Sequence, residues 1–454
     1  MKKGLLIRGG IALVLATTML STPALSADTF NSALVSAYET NPRIKAQRKV
    51  LEANNETSSQ AFSGWLPNVN ANLQTGRQRN SNSAQTGGSF EYGDNDIAAL
   101  TLNQPIFSGG ETLAQMDKAE YEITAARADL TELEQQVLLD AVGAYMDVVR
   151  DEAVLELSKN NEKVLAKQLK ASKQRFAVGE VTRTDVAQSQ SRLSRAMTDR
   201  IQARGSLVTS RANFERVIGY VPTGQLTTPA SFPAIPKSLD AAFVRAEENS
   251  PLIDAATYRE KSAGEDVDIS VAAILPELSL QGNMRREDGS GFRSDEEFNS
   301  DSLLLNLDIP LYQSGAEYSL VRQAKINASQ QKFNLINQKE AVRESVTQAW
   351  EALETAVATI RSNEDAIDAA QVALKGVKQE QLFGARTVLD VLDAEQELFV
   401  ARVNLTRSQR DRIFAIYNLL AVMGELTIDN LGFDVQKYDV EEHYEDVKYQ
   451  FIGF

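Results

Sequence analysis

The chain contains no cysteine. That excludes disulfides, thiolate nucleophiles and cysteine-ligated zinc. Its one histidine is His443, in an acidic tail. A lone histidine in such a place is far more often a solvated side chain than a metal ligand. Positive charge is in deficit: 47 Lys and Arg stand against 62 Asp and Glu, a formal charge of −15. Nucleic acid is therefore disfavoured as a partner. Aromatics make up only 7% of the 454 residues, against 43% hydrophobic overall. There is no P-loop, no GxGxxG after a strand, no HExxH and no nucleophile beside a histidine. An enzyme reading has no constellation to stand on, and no cofactor is implied. No stretch is apolar for 18 residues, so no transmembrane helix is expected. Any insertion into a membrane must use strands.

What is present begins with an export signal. Lys2, Lys3 and Arg8 precede the apolar core Ile11–Leu20, and Pro23 to Ala27 has the look of a cleavage end. Residues 1–27 are assigned to this signal. Losing its three basic residues takes the formal charge from −15 to −18.

The rest of the chain is written twice. Val178–Val186 reads VGEVTRTDV and Phe383–Val391 reads FGARTVLDV. Gly179 falls on Gly384, Thr182 on Thr387 and Asp185 on Asp390, all at an offset of 205. Asn41-Pro42 matches Ser250-Pro251, and Leu66-Pro67 matches Leu275-Pro276, at an offset of 209. A fixed offset between unlike elements predicts an internal duplication. The first repeat is placed at 28–222. It holds a helix, strands at about 68–75 and 97–104, a long helix 111–175, a tip turn 176–183 and a helix 184–217. A linker, 223–239, follows. The second repeat, 240–426, has strands at about 277–284 and 302–309, a long helix 315–380, a tip turn 381–387 and a helix 388–422. An acidic tail, 427–454, follows; its run Glu441–Asp446 is most simply a solvated or disordered end, while its aromatics (Tyr438, Tyr444, Tyr449, Phe451 and Phe454) leave docking on the outside of the protein open.

The strands alternate. Val69, Ala71 and Leu73 oppose Asn68, Asn70, Asn72 and Gln74; Leu303, Leu305 and Leu307 oppose Leu304, Asn306 and Asp308. Loops are expected at Gly76–Asn95 and Arg285–Ser300. Alternation of this kind suits a half-buried soluble sheet or a membrane barrel strand. Four strands cannot close a useful barrel, so a membrane reading requires several chains to share one. No proline lies between Ile106 and Val221 or after Pro310, which marks the helical bulk. Ser108-Gly-Gly-Glu111 and Ser314-Gly-Ala-Glu317 read as capping boxes. Val186, Leu193, Leu207 and Phe214 keep a seven-residue spacing broken at Arg200; Val391, Leu398, Leu405 and Leu419 keep it with a break at Arg412. Helices this long need lateral partners throughout.

These residues together resemble the TolC family of outer membrane channel proteins. The resemblance rests on the order of elements, the paired Leu-Pro before a strand, the small-residue run before each long helix and the doubled tip motifs. It covers the mature chain to about Leu426. It implies a mixed α+β membrane protein: a long helical coiled-coil barrel continuous with a transmembrane β-barrel, built from three chains with four strands each. It also implies an exit channel for type I secretion or multidrug efflux, in the outer membrane with a periplasmic helical extension. The partners implied are two further copies, a periplasmic adaptor and an inner-membrane transporter, ABC or proton-driven. In the family, closure involves an aspartate on the first tip, matched by Asp185, and a tyrosine and an arginine on the second. Arg386 matches the arginine, but the tyrosine position holds Gln381. The family's constricting acidic ring matches Asp390 and Asp393. The tip turns, with Gly179, Thr182, Gly384 and Thr387, are the implied adaptor contact.

Each of these residues has a plainer reading. Asp185 and Asp390 sit where an acid favours a helix N-terminus. Asp393 shares a face with Asp390 at a spacing that makes the pair repel, and a solvated acidic face is its plain reading. Arg386 as a surface residue needs no role. The competing function is a structural periplasmic coiled-coil protein without channel activity.

Overall fold

A computed structural model describes residues 29–80, 90–229, 231–289, 297–433 and 435–451. The export signal lies outside these residues. The elements, in order, are α1 (Phe30–Thr40), α2 (Pro42–Phe62), β1 (Asn68–Asn80), β2 (Glu91–Ser108), α3 (Glu111–Ala177) and α4 (Arg183–Ile218). Then come α5 (Leu239–Asn249), α6 (Pro251–Ala272), β3 (Glu277–Asp288), β4 (Glu297–Asp308), α7 (Ala316–Leu382), α8 (Val388–Val422) and the short α9 (Glu442–Val447).

Pro42 and Pro251 open helices. Each stands at the first position of its helix, behind Asn41 and Ser250. A missing N–H costs nothing there, because that donor has no partner within the helix. α3 and α7 each run 67 residues, about 100 Å at the helical rise. Their starts differ from the expected capping boxes. The cap positions are Gly110 and Gly315, with φ of 92° and 83°, and no side chain caps either helix. The reason is a sharp bend between strand and helix. Gly109 and Gly110, or Ser314 and Gly315, take positive φ in succession, so the serine is left ahead of the first helical turn. A Cβ on Gly109 would lie 2.6 Å from the Ala272 carbonyl oxygen, so only glycine fits.

The four strands form one antiparallel sheet in the order β1-β2-β3-β4. Its register stacks the alternation of each strand on that of its neighbours. Val69 pairs with Leu102, Leu102 with Gly282 and Gly282 with Leu303. Asn70 pairs with Thr101, Thr101 with Asn283 and Asn283 with Ser302. Directly paired residues share a face, so one face is mainly apolar and the other mainly polar. The strands outrun their expected ends. β1 continues to Asn80, β2 starts at Glu91, and β3 and β4 reach Asp288 and Glu297. Backbone pairing thus claims residues whose Gly, Ser and charged side chains suggested loop. β2 also passes Pro105, expected to end it, through an irregularity between Pro105 and Phe107. A bulge tolerates the lost N–H.

The main core lies where α1, α3, α4, α5, α7 and α8 meet. Tyr145, Phe214, Leu34, Ile218 and Leu419 are fully buried there. The two heptad rows face inward: Leu193, Leu207, Phe214, Val391, Leu398 and Leu419 are buried. Arg200, at the first break, pairs with Glu162 on α3. The tail docks through its apolar and aromatic residues, while Glu441, Glu442, Glu445 and Asp446 stay exposed. Tyr438 and Val440 pack on Leu51, Ala126 and Leu130. Phe451 stacks on Phe62 at 5.0 Å, and Arg48 lies 4.8 Å over the Tyr438 ring. Burial, with the Glu52 carboxylate next, pushes the Tyr438 hydroxyl up to about 12. The acidic residues that suggested disorder ride on aromatic anchors. Among the described residues, no helix is long and apolar enough to cross a membrane.

Candidate functional site

The two tips are built alike. α3 ends with Gly179 at φ 82°, where Gly179 N donates to Phe176 O at 3.0 Å and Glu180 N to Arg175 O at 2.9 Å. α7 ends with Gly384 at φ 77°, where Gly384 N donates to Gln381 O at 3.1 Å and Ala385 N to Glu380 O at 2.9 Å. The bond that spans five residues is the signature of a left-handed glycine stop. A Cβ on either glycine would meet nothing within 4 Å. The glycines answer to φ alone.

The next helix starts at once, through a reciprocal cap. Asp185 N donates to Thr182 Oγ1 at 3.2 Å, and Thr182 N donates back to Asp185 Oδ2 at 2.8 Å. Asp390 N donates to Thr387 Oγ1 at 3.2 Å, and Thr387 N to Asp390 Oδ2 at 2.9 Å. Both are capping boxes, with aspartate in the place usual for glutamate. The Thr387 amide and hydroxyl, with Arg386 beyond them, hold the Asp390 carboxyl below the usual carboxylate range.

Within the chain, no side-chain hydrogen bond or ion pair joins the three residues expected in the lock. Asp185 bonds Thr182 through its backbone and side chain. Arg386 Nε donates to Glu380 Oε2 at 2.9 Å. Gln381 Nε2 is buried and has no hydrogen-bond partner among the described residues. The two ring carboxylates are held differently. Asp390 is engaged in its cap, while Asp393 pairs with Arg192 on α4. That ion pair offsets the repulsion expected between Asp390 and Asp393. Sequence reasoning missed Arg192, although it directly precedes Leu193 of the heptad row. Flanking positions of that kind carry the charges that join neighbouring helices.

Beneath these polar groups the second hairpin packs against the first. Val388 and Leu392 of α8 share a buried cluster with Leu165 and Leu169 of α3 and Leu193 and Ala196 of α4. Each hairpin also has an inner polar clasp. Ser172 and Ser189 meet at 3.1 Å in the first. In the second, Lys378 reaches Glu395 at 2.8 Å. Glu395 is 6% exposed, and its other carboxylate oxygen has no partner among the described residues. No group of side chains able to hold a metal ion occurs among the described residues.

Comparison with known proteins gives these features a setting. A family described as outer membrane efflux protein matches residues 33–220 and 242–425. The outer membrane efflux protein BepC of Brucella suis is 32% identical over 442 residues, covering 97% of this chain and 95% of its own. The outer membrane protein TolC of Vibrio cholerae is 24% identical over 400 residues, covering 86% and 89%. The fold also aligns with the crystal structure of the CmeC outer membrane channel of Campylobacter jejuni. The TM-score is 0.77 at 17% identity, over 93% of this chain and 89% of that one. Sheet, long helices and paired tips are therefore a shared design, and this chain belongs to the TolC family of outer membrane efflux proteins.

Proposed function

We propose that three copies of this chain form an outer membrane exit channel, a passive conduit for type I secretion or multidrug efflux. The observation that carries the proposal is the sheet. It has an apolar and a polar face, and its edges β1 and β4 have no partner strand among the described residues. Unpaired backbone groups in lipid cost several kcal/mol each. Edge-to-edge pairing of identical sheets removes that cost. Three chains would give twelve strands, with apolar residues toward lipid and the Asn, Ser and Thr residues toward water. The helices would continue the duct into the periplasm.

The long helices support the same assembly. α7 leaves Ile326, Phe333 and Val372 exposed, the last two at 70% and 73%. Such side chains are expected beside a neighbouring copy. In this reading residues 28–222 and 240–426 are two repeats of one ancestral unit. Their tips form the periplasmic gate, with Asp185, Gln381 and Arg386 acting between copies, and Asp390 and Asp393 lining its acidic ring. The tip turns at Gly179, Thr182, Gly384 and Thr387 would meet a periplasmic adaptor. An inner-membrane transporter, ABC or proton-driven, would supply the energy, since no nucleotide site is evident in this sequence.

Purified protein in planar bilayers tests the proposal. Cross-linking should give a trimer, and the pores should be cation-selective. Asp390→Ala with Asp393→Ala should move the reversal potential in a salt gradient toward zero. A water-soluble monomer without conductance would favour the coiled-coil structural protein instead.

A further inference from the structure

We infer that Arg192 is a positioning residue of the gate: its pair with Asp393 ties the second hairpin to the first and masks one carboxylate of the acidic ring while the tip is closed. The inference rests on the tip being the gate and deepens that reading. Three observations carry it. First, the residues expected to join the tips are engaged locally or unpaired: Asp185 with Thr182, Arg386 with Glu380, and Gln381 Nε2 with no partner among the described residues. Second, Arg192–Asp393 is the one ion pair between α4 and α8 among the described residues. The next pair that joins the two hairpins is Arg410–Asp147, 17 residues farther along α8, or about 25 Å. Third, the pair lies over the apolar cluster where Val388 and Leu392 meet Leu165, Leu169 and Leu193. The cluster sets proximity but not register, because apolar contact has no direction. A guanidinium on a carboxylate supplies the direction.

The consequence concerns charge. Closed, Asp393 is neutralised by Arg192, and Asp390 carries the ring's field. An opening that separates the hairpins breaks the pair and presents a second carboxylate per chain to the passing ions. Selectivity for cations therefore rises as the tip opens. Arg192 is a quarter exposed and Asp393 about half, so the clip is weak, screened by salt and within reach of a partner's binding energy.

Single-channel recording of the full-length protein in bilayers tests this. Arg192→Gln is expected to raise the fraction of time open by about two- to five-fold, the scale of a partly exposed pair. Arg192→Lys should stay near wild type. The exchange of charges, Arg192→Asp with Asp393→Arg, should restore closure. Raising ionic strength should open the wild type more than Arg192→Gln, a comparison that needs only these two proteins. If Arg192→Gln leaves opening unchanged while Asp390→Ala still lowers cation selectivity, the clip is wrong and the gate stands. If neither substitution changes conductance or selectivity, the gate reading falls and takes the clip with it.

Discussion

The two tips share one backbone and differ in charge. Each has a glycine stop, a threonine cap and an aspartate that closes the box. Yet Arg175 of the first occupies the position of Glu380 in the second. Arg175 stands 3.8 Å from Glu180, whereas Glu380 pairs with Arg386 at 2.9 Å. The inner clasps differ too: two serines in the first hairpin, a lysine and a buried glutamate in the second. Backbone geometry is common to both tips, while the side chains around it differ. Like backbones thus carry two hairpins of similar shape and unlike electrostatics.

The long helices extend the contrast and give the largest expected effect. At the offset of 205, α3 carries Gln115, Tyr121, Ala128 and Lys167 where α7 carries Leu320, Ile326, Phe333 and Val372. The α7 residues are all exposed in the single chain. Burying one such side chain contributes about 1.5–3 kcal/mol, three times over in a trimer. Phe333→Asp is therefore expected to dissociate the proposed trimer in detergent. Ala128→Asp, at the matching place on α3, should leave most of it assembled. Cross-linking followed by electrophoresis reads both. Equal loss from the two variants would remove the distinction between the helices.

The clasps predict a smaller difference. Glu395 is buried and depends on Lys378 for its charge partner. Removing Lys378 strands that carboxylate, at a cost of about 1–3 kcal/mol after allowance for the half-exposed lysine. Ser172→Ala removes one neutral hydrogen bond, worth about 1 kcal/mol. Lys378→Met should therefore expose the second hairpin to limited proteolysis more than Ser172→Ala exposes the first. Lys378→Met with Glu395→Leu should recover much of the loss, because a buried pair can be replaced by apolar groups at little cost. Failure of the double variant to recover would point to backbone damage rather than a lost ion pair.

How far the sequence foretold these features depends on how local their causes are. Tip turns follow from a glycine, a threonine and an aspartate within eight residues, so both are legible. Proline-free runs mark the two 67-residue helices because proline acts on its own turn. Ser108 and Ser314 misled, since two successive residues of positive φ bend the chain before each helix and a glycine takes the cap position. The tail is half legible: its acidic run is exposed, but where its aromatics dock, on α2 and α3, is set by residues far away in the chain. Arg192 was the costliest omission. Its partner lies 201 residues away, and no spacing rule within α4 names it.

The smallest effect concerns the second cap and pH. Asp390 is held below the usual carboxylate range, first by the Thr387 amide and then by its hydroxyl. A carboxyl depressed in the folded state contributes stability that is present above its unfolded value and lost as pH falls through the folded one. The second tip should therefore keep its cap at pH 5 and lose it only below about 4, the ordinary aspartate value. Hydrogen exchange at Thr387 N, which donates to Asp390 Oδ2 at 2.9 Å, reads this after correction for the intrinsic rate. Protection should hold to pH 5 in the wild type and fall at all pH values in Asp390→Ala, which removes the acceptor. Because Asp390 is solvent-facing, the change should stay within the first turn of α8 and leave the proposed trimer intact. Protection already lost near pH 5 would mean that neither the Thr387 bonds nor the Arg386 charge holds this carboxyl below its ordinary value.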